Sequence, residues 1–414
     1  MLPESLLARY IRLGSLDLEL PDGKIRTFGS GGPHAYWRIR KPGTLRRIAA
    51  DPDFMLGQAY MDEEWDTPQG GLLPLLELLI RNFSSMPTVG RSRQLLLDLL
   101  KPLQQWNRHR ASRRNVAHHY DLDEDLFRRF LDGDMQYSCA YFAHENMDID
   151  AAQRAKVEHI RRKLCLRPGQ RVLDIGCGWG GLAIYLAEQD GAHVTGLTLS
   201  KEQHRVARQR VAERGLERQV DIRLEDYRDH NGRYDRVVSV GMFEHVGVPN
   251  YQTYFDCVRE FLADEGVALI HTIGRYSPPG VTNAWIRRYI FPGGYVPAMS
   301  EVMHRVERSG LVTADVEVLR THYAKTLLAW FDRFQKVREE FAERKGERFC
   351  RMWEFYLASC AMSFVHWDLV VFQFQLSRSL TAVPVTRDYL YAQPISVARE
   401  SQSPTVVIGG VNKR

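Results

Sequence analysis

The segment Val172-Leu-Asp-Ile-Gly-Cys-Gly-Trp-Gly-Gly limits the folds open to this chain more than any other feature. Arg171 to Ile175 reads as a short strand, and the glycines after it give way to a helix through Leu186. Glycine reaches backbone conformations closed to other residues, so main chain at such a turn can approach a ligand closely, with a helix N-terminus just beyond. The pattern then repeats. His193 to Leu197, Val220 to Leu224, Tyr234 to Val240 and Val267 to His271 read as further strands, with helices over Lys201 to Glu213 and about Tyr251 to Leu262. This alternation predicts a parallel sheet with helices on both faces. Val312 to Leu319 and Val370 to Leu376 read as a last strand pair around a helical, charged and aromatic stretch near 322–366.

The N-terminal part has a different pattern. Asp17-Leu-Glu-Leu alternates polar and apolar before the turn Pro21-Asp-Gly-Lys, which predicts a hairpin. At 414 residues the chain has room for more than one domain. The expected division is a small N-terminal domain over 1–90, a basic linker helix over 91–114, a catalytic domain over 115–398 and a loose tail over 399–414. Hydrophobic residues are 44% and charged residues 26%, which argues against a mostly disordered chain. No run approaches the ~18 apolar residues of a membrane span. The start, Met1-Leu-Pro-Glu-Ser-Leu-Leu, has an early acid and reads as no secretory signal. The six cysteines contain no CxxC pair, so no disulfide framework, zinc pattern or metal is expected, and the expected compartment is a reducing cytoplasm. Between Arg91 and His118, seven basic residues (Arg91, Arg93, Lys101, Arg108, Arg110, Arg113, Arg114) oppose only Asp98, which predicts an anionic partner.

The carboxyl ends of parallel strands face the ligand crevice, so chemistry is sought there. Asp174 makes the glycine turn a DxGxG, characteristic of S-adenosylmethionine (SAM) enzymes, which have no pyrophosphate to cradle; the loose GxGxxG match and a ligand-free turn are the other readings. The second strand ends Gly196-Leu-Thr-Leu-Ser without the acid that usually holds a ribose diol. Thr198, the backbone of Leu199 and Gln203 are left to do that work, although Ser200 alone reads as a helix N-cap and Gln203 as a surface residue. Glu244, in Gly241-Met-Phe-Glu-His-Val-Gly, and His271, in His271-Thr-Ile-Gly, lie at adjacent strand ends, where two titratable groups point to a site. His118-His-Tyr-Asp-Leu and Tyr137-Ser-Cys-Ala-Tyr either close over a cofactor or pack in the core, with Cys139 then an inert thiol. The segment from Trp285 to Pro297 fits the wall of a large apolar substrate, or an ordinary packed insertion.

Together, His119-Tyr-Asp-Leu, Gln136-Tyr-Ser-Cys-Ala-Tyr-Phe, the glycine turn, Gly196-Leu-Thr-Leu-Ser-Lys-Glu-Gln, Gly241-Met-Phe-Glu-His-Val-Gly, His271-Thr-Ile-Gly and Phe291-Pro-Gly-Gly-Tyr-Val-Pro resemble the cyclopropane-fatty-acyl-phospholipid synthase family. Order and spacing match from about Asn115 to the 370s. Leu56-Gly-Gln-Ala-Tyr-Met-Asp-Glu-Glu-Trp-Asp resembles the smaller domain of the phospholipid-acting members, which the related mycolic acid enzymes lack. The resemblance implies an α/β fold: a Rossmann-like, doubly wound, seven-stranded methyltransferase sheet with a helical and aromatic insertion, plus a smaller N-terminal α+β domain. It implies transfer of a methylene from SAM to the cis double bond of an unsaturated acyl chain in a membrane phospholipid, with bicarbonate in the site. Cys139, Glu244, His271, Ile273 and Tyr323 fall on that bicarbonate site, Cys139 and Ile273 through backbone groups. Tyr137, Ser138, Gly176, Gly178, Thr198, Leu199 and Gln203 fall on SAM contacts, and Glu225 and Asp226 on the adenine loop. The family carries Leu-Thr-Leu-Ser as well, which accounts for the missing ribose acid. The implied setting is the cytoplasmic side of the cell membrane, with peripheral attachment to its inner face. Members often form dimers, so a homodimer is the matching expectation.

An alkene is a poor nucleophile and must be held against the sulfonium methyl with water excluded. Methyl transfer would leave a carbocation, which aromatic faces stabilise; Tyr137, Phe243 and the rings of the insertion are candidates. Bicarbonate oriented by Glu244 and His271 would then take the proton as the ring closes. Adjacent anions repel, so either Glu244 shares a proton or His271 is charged. The basic stretch, with Leu95, Leu96, Leu99, Leu100 and Leu103, fits a membrane-surface helix as well as a packed linker. A fatty-acyl C-methyltransferase giving a methyl-branched or methyl-alkene product starts from the same cation and is the alternative. The intact Cys139, Glu244 and His271 oppose a regulatory protein that has lost catalysis. No base-reading Asn/Asp-Pro-Pro-Tyr motif is present, so no nucleic-acid partner is expected.

Overall fold

The computed structural model describes residues 3–83 and 124–391. The basic stretch 91–114, the motif at 118–122 and the tail 399–414 lie outside the described residues. The N-terminal unit runs α1 (Pro3–Tyr10), β1 (Gly14–Glu19), β2 (Ile25–Ser30), β3 (His34–Ile39), α2 (Thr44–Ala50), α3 (Pro52–Met61), β4 (Trp65–Asp66) and α4 (Leu72–Phe83). Its four strands pair in the order β2-β1-β3-β4. The expected hairpin is β1 and β2, antiparallel and closing at Glu19 opposite Ile25. Alternation on β1 buries Leu16 and Leu18 on the face that α4 covers.

The second unit opens with α5 (Glu124–Phe130) and α6 (Ile149–Lys163) and then alternates: β5 (Arg171–Ile175), α7 (Gly181–Asp190), β6 (His193–Thr198), α8 (Lys201–Glu213), β7 (Val220–Leu224), β8 (Tyr234–Val240), α9 (Tyr251–Phe261) and β9 (Leu262–Arg275). It closes with α10 (Ala284–Tyr289), α11 (Met299–Ser309), β10 (Val312–Val318), α12 (His322–Lys345), α13 (Glu347–His366), β11 (Leu369–Ser377) and α14 (Asp388–Tyr391). The seven strands lie in the order β10-β11-β9-β8-β5-β6-β7, and β5 to β9 are parallel. β11 runs antiparallel to both neighbours. The chain winds outward in opposite directions from β5 and β8, so the strand order reverses between them. That reversal opens a crevice at the carboxyl ends of the strands. β9 begins five residues before the expected Val267. Leu262 pairs with Tyr234, and the register resumes after a bulge at Arg236 and Val267.

One apolar core runs from Leu16 and Trp37 of the N-terminal unit to Trp330, Trp353 and Val371 of the second. The join is tight at Gly57 of α3, where a Cβ would lie 2.7 Å from the Phe355 ring and 2.8 Å from the Trp285 ring. Trp285 donates to the Met61 sulfur at 3.3 Å, and Tyr289 donates to Gln58. The start of the aromatic insertion is thus packed on the N-terminal unit. Polar groups complete the join: Arg338 holds the buried Glu354 at 2.7 Å, Tyr60 donates to Glu354 at 3.3 Å, and Arg351 lies 4.7 Å over the Tyr60 ring. No described helix is long and apolar enough to cross a membrane.

Two rigid rings around Gly57 leave no room for a larger side chain. Gly57→Val is expected to lower stability by about 1–3 kcal/mol, read as a shift of the urea unfolding midpoint; an unchanged midpoint would contradict the close packing.

Candidate active site

β5 delivers the glycine turn to the crevice. Gly176, Gly178 and Gly180 all have positive φ (88°, 55° and 81°), which only glycine adopts cheaply. The backbone N–H groups of Gly176 and Cys177 both donate to Leu197 O at 2.9 Å, tying the turn to β6. A Cβ at Gly176 would meet Met242 at 2.7 Å, whereas Gly178 faces open space. Asp174, 1% exposed, keeps its Oδ2 without a hydrogen-bond partner. Burial pushes its carboxyl up to about 7, against the pull of the nearby Lys156.

The cleft above this turn encloses about 1110 Å³ of empty space, its open mouth included. Every residue matched to a SAM contact lines it: Tyr137, Ser138, Gly176, Gly178, Thr198, Leu199, Gln203, Glu225 and Asp226. At the end of β6, Thr198 Oγ1 donates to Gln203 Oε1 at 2.8 Å. Ser200 caps α8 through the Gln203 N–H at 3.1 Å. Ser200 is thus the helix cap, and Gln203 is buried and reaches back to Thr198 rather than lying on the surface. Arg228 grips Asp226 at 2.6 and 2.9 Å. Glu225 lies 3.2 Å from His230 Nδ1.

The 136–138 segment that forms one wall is fastened from α6. Lys156 Nζ donates to Gln136 Oε1 at 2.6 Å and to Ser138 Oγ at 2.8 Å. Gln153 Nε2 donates to Ser138 O at 3.0 Å and Gln136 O at 3.3 Å. Lys156 has no solvent exposure, and burial lowers its ammonium to about 8. Between these anchors Tyr137 packs on Trp330 at 5.2 Å, and its hydroxyl meets the Tyr356 hydroxyl at 2.7 Å.

The residues matched to a bicarbonate site do not line this cleft. Phe243, Glu244 and His245 form one 3-10 turn after β8, and the three-residue period sends them three ways. Phe243 stacks on Tyr251 at 4.3 Å inside the core. His245 faces the cleft. Glu244 turns to β9, where its Oε1 accepts the Ile273 N–H at 2.6 Å while Oε2, buried, has no partner. Burial raises the Glu244 carboxyl to about 7, opposed by that backbone bond. Cys139 is buried, with its thiol pushed up by burial, and the next residue's N–H donates to Thr326 Oγ1 at 3.1 Å. Thr326 lies one helical turn from Tyr323, whose phenol is raised by burial and then by nearby Tyr137, Cys139 and Glu244. Glu244, Ile273, Cys139 and Tyr323 are thus gathered. His271 shares the Ile273 face of β9 but is bonded to Gln373, whose side-chain amide lies 3.1 Å from its Nδ1. Burial, then Lys156 and Lys163, lowers His271 to about 3, so its imidazole is neutral.

Lys156, Gln153, Arg228 and His245 escaped the sequence reading. A signal existed for Lys156: on α6 it shares a stripe with Ile149, Ala152, Gln153, Ile160 and Lys163, all buried. A polar residue within an apolar stripe is informative in a way that a charge on a solvated face is not.

The mycolic acid cyclopropane synthetase family model matches residues 107–374. Cyclopropane-fatty-acyl-phospholipid synthase of Escherichia coli (strain K12) is 39% identical over 358 residues, 85% of this chain and 90% of its own. Tuberculostearic acid methyltransferase UfaA1 of Mycobacterium tuberculosis is 38% identical over 357 residues, 82% of each chain. The crystal structure of mycolic acid cyclopropane synthase CmaA1 complexed with SAH and CTAB superposes with a TM-score of 0.61 at 35% identity, covering 64% of this chain and 97% of that one.

The Glu244 shift has a direction that can be measured. Its folded carboxyl is raised from 4.5 to about 7, so between those values the unfolded chain ionises first and rising pH costs stability; the loss is complete above about pH 7. Gln is neutral throughout. From pH 5 to pH 8 the wild type should therefore lose stability relative to Glu244→Gln, by at most about 3 kcal/mol in urea unfolding. Parallel pH profiles for the two proteins would show that the buried carboxyl is not perturbed.

Proposed function

The chain belongs to the mycolic acid cyclopropane synthetase family, and on that footing we propose that it transfers a methylene from SAM to a cis double bond of an unsaturated acyl chain in a membrane phospholipid, forming a cyclopropane. One observation carries the reading. A single 3-10 turn presents His245 to the glycine-floored cleft and turns Glu244 away from it, to the Ile273 N–H on β9 and the neighbourhood of Tyr323. A methyl donor and a proton acceptor can thus sit on either side of one turn.

SAM fits the cleft in two respects: Gly178 leaves open space against the turn, and the orphaned Asp174 Oδ2 is a buried acceptor awaiting a donor. Tyr137, Ser138, Gly176, Gly178 and Asp174 would hold it from below, Thr198, Leu199 and Gln203 at the ribose, and Glu225 and Asp226 at the adenine. When bound it supplies the electrophilic methyl group. Bicarbonate fits the orphaned Glu244 Oε2, while the Ile273 N–H is already engaged by Glu244 and would have to be shared. When bound it supplies a base.

The chain's own groups do the rest. Tyr137 and Tyr356, joined by their hydroxyls, with Phe291 edge-on to Tyr356 at 5.8 Å, offer aromatic faces to a cationic carbon. Glu244 raised to about 7 and His271 lowered to about 3 favour the shared proton over the charged histidine as the answer to anion repulsion. Gln373, 3.1 Å from the His271 Nδ1, fixes the orientation of that ring. The same reading takes residues 115–398 as the catalytic part, 1–90 as the lipid-associated part and the basic stretch 91–114 as an attachment to the inner face of the cell membrane. The similarity to UfaA1 keeps methyl-branched product formation as the second reading.

Mass spectrometry of lipids after incubation with SAM and vesicles of cis-unsaturated phospholipid, with and without bicarbonate, tests this. The expected result is a gain of one CH₂ per chain that resists hydrogenation. A gain that takes up hydrogen indicates a methyl-alkene, and no gain while SAM binds ends the catalytic reading. Lys156→Met, which leaves Gln136 and Ser138 without their donor, should raise the SAM dissociation constant about tenfold by calorimetry; an unchanged constant would detach Lys156 from the site.

A further inference from the structure

We propose that Arg288 binds the phosphate of the lipid headgroup. The proposal rests on the reading above and names a subsite of it. Arg288 is exposed at the end of α10, where the aromatic insertion meets the N-terminal unit. Its guanidinium lies 5.9 Å from the ring of Phe54, on α3, and 5.6 Å from the ring of Tyr289. These two rings stack on each other across the join at 6.3 Å and 18°.

The neighbouring arginines of the join are consumed by carboxylates: Arg338 by Glu347 and Glu354, Arg348 by Asp62, Arg351 by Glu347. Among the described residues Arg288 has no carboxylate partner. A guanidinium laid against aromatic faces keeps its N–H edge free, and that planar fork matches two phosphate oxygens at once. Half-buried Phe54 and Tyr289 supply apolar floor beside the charge for the glycerol end of a lipid.

The position also points inward. Tyr289 lies 5.6 Å from Trp285, and Trp285 lies 4.9 Å from Phe355. The next residue, Tyr356, is bonded to Tyr137 at the cleft. A phosphate on Arg288 would therefore sit at the outer end of a continuous run of packed rings that reaches Tyr137. An acyl chain without phosphate has nothing to offer this cation.

The test is calorimetric titration of the full chain with dioctanoyl-phosphatidylglycerol below its micelle concentration, which separates headgroup binding from attraction to a charged bilayer. Wild type should bind, Arg288→Gln should bind at least tenfold more weakly, Arg288→Lys should fall between them, and Arg308→Gln, another exposed arginine, should match wild type. Dioctanoylglycerol should bind all four proteins alike. Absence of wild-type binding, an equal loss in Arg288→Gln and Arg308→Gln, or inorganic phosphate binding as tightly as the phospholipid would each overturn the proposal. Wild type that binds the phospholipid through Arg288 but transfers no methylene counts against the catalytic reading alone.

Discussion

A buried ammonium must be surrounded by acceptors, and the way this chain satisfies Lys156 organises the site. Its two side-chain partners, Gln136 and Ser138, flank Tyr137, while Gln153 one turn earlier on α6 holds the backbone carbonyls of the same pair. A stretch with no regular hydrogen-bonded structure is thereby held on both sides of Tyr137. The glycine turn answers it from the other side: a Cβ at Gly181 would lie 2.4 Å from Asp134 O and 2.5 Å from Gln136 Nε2. The last glycine of the turn is thus explained by contact with this wall, and the earlier ones by the backbone conformation of the turn.

Low dielectric decides the charge states on both sides of the wall. Asp174 and Glu244 are each raised to about 7 by burial, and His271 and His245 are lowered to about 3 and about 4. These groups tend toward neutrality together, which removes the repulsion a second anion would otherwise meet. The 3-10 turn matters here because an α-helical turn would place Glu244 and His245 about 100° apart, whereas the tighter turn spreads three consecutive side chains evenly around its axis. Core, cleft and buried acid are served by three adjacent residues.

Much of this was legible in the sequence, and the limits are physical. The strands and helices of the sheet follow local periodicity, and β7 and α8 fall on the expected residues. Motif residues at strand ends could be found because parallel topology sends strand ends to one rim. Phe243 could not be sorted from its neighbours, because which way each side chain of a short turn points is settled by tertiary packing. Lys156 was hidden because helix α6 carries charge on several faces, and a lysine facing inward differs from one facing water only in its surroundings. Trp285 was ambiguous for a related reason: an aromatic insertion reads alike whether it covers a ligand or another part of the chain.

The Trp285 contact changes what the N-terminal unit does. Phe355 and Tyr356 are consecutive on α13, so their side chains diverge by about 100°. Phe355 packs on Trp285 and Tyr60 at the join, and Tyr356 holds Tyr137 in the site. The charged groups Arg338, Glu347 and Glu354 fasten this part of α13 and α12 to Tyr60 of the N-terminal unit. Close-packed interiors transmit small displacements rather than absorb them. A shift of α3 by a fraction of an ångström would therefore reach Tyr137 through the contacts of one helix. The N-terminal unit thus stands one residue of α13 away from the cleft wall that Tyr137 forms, Phe355 meeting the one and Tyr356 the other.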